Sequence, residues 1–202
     1  MMTKYTLLLL LVLLSSCTRD IHPIAKKTLE QKNPTTYVFN HSVPELKERI
    51  VAAFQIEKQS AGSFCVFFRC EAPFLISVET KEHATFAGHL FDNPENADDV
   101  YLHSYGEPFG LSAVYFANGK PLPYRAAFHL HLAAINERNT SVTILTQNPT
   151  VINGAKCCGL HAYYANDVPV EPTTIEEYKI LLYIGQVLGV GDMPPLHTPD
   201  NK

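Results

Sequence analysis

The sequence predicts an α+β domain built on an antiparallel sheet, and three segments carry that prediction. From Tyr124 to Ile135 the residues alternate. Tyr124, Ala126, Phe128, Leu130, Leu132 and Ala134 fall on one face, and Arg125, Ala127, His129, His131 and Ala133 on the other. From Ser42 to Phe54 the spacing is helical. Ser42 and Glu45 form a capping box, and Leu46, Ile50, Ala53 and Phe54 make one apolar face. From Tyr178 to Leu188 the chain is apolar on nearly every side, the pattern of a helix buried all round. Strand, helix, several antiparallel strands and a long apolar C-terminal helix is an α+β order.

The remaining elements follow from local chemistry. Thr35 to Asn40 is β-branched and aromatic, a short strand before the first helix. Residues 64–68, 74–78 and 84–90 read as strands, as does Val100 to Tyr105 after the acidic loop Asp92 to Asp99. Ser112 to Phe116 is a strand. Asn118-Gly119 then makes a tight hairpin turn into the alternating segment, because both residues tolerate a left-handed backbone. Asn136 to Asn139 is a second turn, and Ser141 to Gln147 pairs back. Thr173 or Thr174 caps the last helix, with Glu176 or Glu177 three residues on. Gly189, Gly191 and Pro194-Pro195 end it. This order is similar to the helix-grip arrangement, which implies a curved sheet wrapped around the final helix.

The amino terminus carries an address. Lys4 precedes the apolar run Leu7 to Leu14, and small residues lead to Leu14-Ser15-Ser16-Cys17. The run is too short to span a bilayer, which takes roughly 20 residues. A cysteine closing such a signal resembles the lipobox of bacterial lipoproteins. The resemblance covers residues 1–17 and implies cleavage before Cys17, with lipid on its sulfur and on the new amino terminus. It implies stable attachment to the cell envelope, because several acyl chains anchor where one binds marginally. Thr18 in place of Asp favours the outer membrane, if the source has one. The expected organisation is a signal at 1–16, lipidated Cys17 and a polar tether to 34, one globular domain at 35–192, and a tail at 193–202.

Removing residues 1–16 takes away Lys4 and no acid, leaving 186 of 202 residues and a formal charge of −5. That is enough chain for one core. A mildly acidic protein without a basic run excludes nucleic acid as the expected partner. Cys65, Cys70, Cys157 and Cys158 remain after Cys17, and export to an oxidising compartment makes disulfides the expectation. Four cysteines allow three connectivities. Pairing Cys157 with Cys158 strains the peptide, and pairing Cys65 with Cys70 needs a tight turn. Cross-links between the two regions are favoured. Each closes a loop worth on the order of 4 kcal/mol in the chain-entropy model.

Chemistry-bearing residues are few. His129 and His131 sit two apart on one strand face, about 6–7 Å along the chain, a spacing that suits two ligands of one metal. His103 or His161 would supply a third. A solvated sheet face accounts for the same pair more simply. Cys157-Cys158-Gly159-Leu160-His161 sets thiols near a base, but structural disulfides are the simpler account. The acidic loop has oxygen ligands suited to calcium, yet Pro94 occupies a ligand position and the required glycine is missing. Hydrolase, kinase and metalloprotease signatures are absent from the sequence. The expected function is therefore a non-catalytic envelope module that binds an apolar small molecule or an envelope protein. Phe128, Leu130, Leu132, Tyr178, Leu182 and Tyr183 would line its site, with no cofactor. A structural role in an envelope assembly ranks second, and a metal-dependent enzyme using His129 and His131 third.

Overall fold

A computed structural model describes residues 23–27, 33–56, 74–78, 84–92, 96, 98–103, 110–158 and 162–199. Among them the chain forms a curled, antiparallel, nine-stranded sheet and two helices, an α+β architecture. In chain order the elements are β1 (Ala25–Lys26), β2 (Thr36–Phe39), α1 (Val43–Ile56), β3 (Phe74–Val78), β4 (Ala84–Asp92), β5 (Val100–His103), β6 (Gly110–Ala117), β7 (Lys120–Asn136), β8 (Asn139–Cys158), β9 (Ala162–Pro169) and α2 (Ile175–Val187). The strand expected at residues 64–68 lies outside the described residues.

β7 is the spine. One of its edges pairs with β8 from Tyr124 to Asn136. Its other edge is shared, with β6 on its first residues and β5 from Ala127 to Leu130. The hairpin into β7 turns on Asn118 and Gly119, both at positive φ (52° and 72°), as the Asn-Gly pair predicts. β8 divides its free edge in the same way, between β2 at Thr140–Thr143 and β9 at Thr150–Cys158. Two bulges bend it there. Asn148 (φ 48°) and Gly154 (φ 78°) fall where the register against β7 and then β9 slips by one residue.

The alternation of β7 is largely realised as read. Tyr124, Ala126, Phe128, Leu130 and Leu132 are buried, whereas Ala134, near the β7–β8 turn, is exposed, and Ala127 on the opposite face is buried as well. Phe128 and Leu130 join Val100, Leu102, Val142 and Ile144 from neighbouring strands. Leu46 and Ile50 of α1, and Tyr178, Leu181 and Ile184 of α2, complete one core. Tyr183 donates its hydroxyl hydrogen to the Ala53 carbonyl at 3.3 Å, tying the two helices.

α2 is 13 residues long, and its N-cap is Thr174, whose side chain makes no capping hydrogen bond. One residue upstream, the Thr173 hydroxyl donates to the Glu176 carboxyl and accepts from the Ile175 amide at 3.2 Å, so a direct Thr173–Glu176 pair stands in place of the predicted capping box. Thr174 takes a left-handed backbone (φ 64°), a strained position for a β-branched residue. The helix closes with a Schellman arrangement. Val190 N–H reaches the Gly185 carbonyl at 2.8 Å, Gly189 N–H reaches that of Gln186 at 3.1 Å, and Gly189 supplies the left-handed turn. The helix is less uniformly apolar in place than its sequence suggests, since Glu176 and Glu177 are themselves buried.

Residues on either side of 35–192 also make contacts with the sheet and with each other. Ala25 and Lys26 pair with Phe116 and Tyr115 as an edge strand. Asn33 is buried and exchanges two hydrogen bonds with the His197 backbone, at 2.8 and 2.9 Å. Tyr178 donates to the Pro194 carbonyl at 2.5 Å, and Met193 and Leu196 pack on the core. The tether and the tail thus enclose each other.

Glu177 generates a pH prediction. It is 2% exposed; Thr146 donates to one carboxyl oxygen, and the other is buried without a partner. Burial, reinforced by Glu176 nearby, pushes its pKa above the usual carboxylate range. A carboxyl raised in the folded state stabilises the fold fully below its unfolded pKa and loses that contribution as pH rises. Stability is therefore expected to fall from about pH 5 upward. Glu177→Gln should flatten the slope and gain on the order of 1–2 kcal/mol at about pH 8, measured by denaturant unfolding across pH. A slope unchanged in the variant would show that Glu177 does not set it.

Candidate functional site

The structure gives His129 and His131 a common partner, Asp99. The cause is register. Val100 pairs with Leu130 and Tyr101 with His129, so Asp99, one step before β5, falls opposite His131. Side chains alternate along both strands. Val100, Leu102, Phe128 and Leu130 enter the core, and Asp99, Tyr101, His129 and His131 emerge on the other face of the sheet. An Asx-type turn delivers Asp99 there. The Asn96 side chain accepts from the Asp98 amide at 3.1 Å, and the Asn96 carbonyl accepts from the Asp99 amide at 3.1 Å.

The Asp99 carboxylate lies 2.9 Å from His129 Nε2, and 3.1 and 3.2 Å from His131 Nδ1. The Leu132 amide donates to Asp99 Oδ1 at 3.1 Å. Burial alone would push the Asp99 pKa up. The hydrogen bonds from His131, the Leu132 amide and His129 outweigh it and hold the group below the usual carboxylate range. The His129 ring stacks on Tyr101, with centroids 4.7 Å apart. The cluster is graded from inside to outside: the Asp99 side chain is 3% exposed, His129 16% and His131 46%. Across β8, Leu145 pairs with His129 and Thr143 with His131, and the Thr143 hydroxyl meets that of Thr36 at 3.0 Å. The arrangement can hold charge between the carboxylate and either imidazole, and it gathers three donor atoms within 4.8 Å of one another.

The other expected sites fare differently. Phe128, Leu130, Leu132, Tyr178 and Tyr183 are members of the buried core, and Leu182 packs against it. His103 ends β5 opposite Ala127, and the third partner of the histidine pair is Asp99, the last residue of the acidic loop. Cys157 and Cys158 close β8. Cys17, Cys65, Cys70 and His161 lie outside the described residues. The signal for Asp99 was an acid one residue before a strand that would pair with the histidine strand, and only the register reveals it.

Asp99 is expected to be the hub. Asp99→Asn leaves both imidazoles facing a neutral amide and should cost about 1–3 kcal/mol in chemical denaturation. His131→Ala, at a half-exposed position, should cost under about 1 kcal/mol. Equal losses in the two variants would show that the carboxylate does not organise the cluster. No family model, curated protein or solved structure matches the chain, so its chemistry is read from its own residues.

Proposed function

We propose that the chain is a lipid-anchored envelope module that works by binding, with no catalytic step, and that it holds the Asp99, His129 and His131 cluster away from the membrane. The observation that carries this reading is the short span between Cys17 and β1. Fully extended, the seven residue steps from Cys17 to Ile24 reach at most about 25 Å. β1 then runs antiparallel to β6, with Ala25 beside Phe116 and Lys26 beside Tyr115. The chain before Ala25 therefore heads toward the β6–β7 turn at Asn118-Gly119. β1 is held there by the Lys27 amide on the Val114 carbonyl at 2.8 Å and by the Lys26–Glu171 ion pair.

His129 and His131 lie nine and eleven residues along β7 from Lys120, roughly 30 Å at a strand's rise. A domain tethered by β1 thus holds the hairpin turn toward the bilayer and the Asp99 cluster toward the compartment. Among the described residues no helix is long and apolar enough to cross a membrane. On this reading a lipid on Cys17 is the attachment. Thr18 favours the outer membrane in an organism that has one. The curled sheet over the buried face of α2 supports a helix-grip-like reading of the fold. The apolar residues under α2 are buried in the core, and the outer face carries the exposed polar cluster, which favours it as the binding surface.

Two measurements test this. Cys17→Ser should move the protein from the membrane pellet to the soluble fraction; a variant that stays in the pellet overturns the anchor. A fluorescent amino acid at Lys120 should transfer energy to a headgroup dye more efficiently than one at Glu137 in vesicles carrying the lipidated protein. Equal or reversed efficiencies would overturn the orientation and leave the anchor standing.

A further inference from the structure

We propose that Asp99, His129 and His131 bind one divalent transition-metal ion, of the zinc class, on the outer face of the sheet. This names the ligand of the binding surface proposed above, but it stands on the cluster alone and does not need the lipid anchor.

The donor set selects the metal. Two imidazole nitrogens and one carboxylate oxygen suit zinc, copper or nickel, whereas calcium and magnesium take oxygen ligands. The geometry is close to what such an ion requires. Bonds of about 2.0–2.1 Å in a tetrahedron set donor–donor separations near 3.4 Å. The Asp99–His129 and Asp99–His131 separations, 2.9 and 3.1 Å, fall a few tenths short of that. The two imidazole donors are bounded only at 4.8 Å, so they must draw together to share an ion. His131, 46% exposed at its side chain, is the ring with room to adjust. An ion between the three groups takes the place of the hydrogens that now bridge them. Each imidazole then binds as a neutral ring, with its remaining hydrogen on the nitrogen away from the metal.

The surroundings are those of a supported site. Asp99 Oδ1 is fixed by the Leu132 amide, which leaves Oδ2 for the ion, and this outer hydrogen bond orients the carboxylate. Tyr101 fixes the plane of the His129 ring. All three ligands stand on, or one residue from, paired strands, where backbone hydrogen bonding limits their drift. Three protein ligands leave a fourth position, on the side where His131 meets solvent, for water or a donor from a partner. The cluster also differs from an ordinary surface ion pair, since its carboxylate is only 3% exposed and has three separate hydrogen-bonding partners. A carboxylate so placed is preorganised for a cation.

The test is cobalt(II) titration of the full chain in detergent, followed by absorption spectroscopy, with zinc stoichiometry by native mass measurement. One ion per chain is expected, with ligand-field bands and no near-ultraviolet band from sulfur-to-cobalt charge transfer. His131→Ala and Asp99→Asn should each weaken binding at least about tenfold, with thermal unfolding confirming that the His131→Ala chain is folded. His197→Ala should bind as wild type does. No binding by wild type, undiminished binding by His131→Ala, or a thiolate band would each overturn the proposal. The Cys17→Ser chain should bind the ion unchanged, so loss of the anchor and loss of the metal site are read separately.

Discussion

The register of β5 against β7 governs both the core and the outer face of the sheet. Val100 pairs with Leu130, and both are fully buried. A slip of one residue would turn Val100 and Leu102 out to solvent and drive Asp99 and Tyr101 into the core, because side chains alternate with a period of two. The hydrophobic effect forbids that slip. The same pairing therefore sets Asp99 against His131 on the opposite face without any attraction between them being needed. The polar cluster inherits its geometry from the apolar residues behind it. The long β7 strand transmits this order, because one edge is paired with β8 from Tyr124 to Asn136 and the other with β6 and then β5 as far as Leu130.

Two kinds of buried carboxyl show what partners decide. Asp99 lies against two imidazoles and a backbone amide and is held in its charged form. Glu177 meets one hydroxyl, leaves an oxygen unpartnered, and is pushed toward its neutral form by burial. The difference follows from the cost of burying a charge without enough donors. Glu176 shares that environment, its burial opposed by the Thr173 hydroxyl. Nearby, the Tyr124 hydroxyl is buried without a partner, and Thr174 carries backbone strain. The start of α2 therefore concentrates unfavourable terms that the packing of Tyr178, Leu181 and Ile184 must offset.

Both ends of the domain are held by long-range contacts. Asn33 and His197 are joined by two hydrogen bonds across almost the whole described chain. Tyr115 links β6 to the segment before α2, donating to the Glu171 carbonyl at 2.9 Å. On the same segment Glu171 meets Lys26 of β1. An exposed ion pair of this kind adds little stability by itself. Its position matters more, because it seats the strand that leads back to Cys17 beside the segment that leads into α2.

The sequence by itself determined the elements whose signals are local. Alternation in β7, the Asn-Gly turn, the apolar face of α1, the start of α2 at Thr173 or Thr174 and its glycine end all depend on residues within a few positions of each other. The lipobox reading of Cys17 is of the same local kind, and it remains a proposal. Tertiary structure decided the rest. The seats of β1 and of the C-terminal tail depend on partners about 90 and 160 residues away along the chain. The buried state of Glu176 and Glu177 depends on which side of α2 the sheet covers. The third member of the histidine cluster was visible in the sequence only as an acid in a polar loop. Asp99 acquires its role from a pairing across 32 residues, and that register is enforced by residues on the other side of the sheet. Local periodicity shows which face a side chain takes. It does not say which distant side chain shares that face.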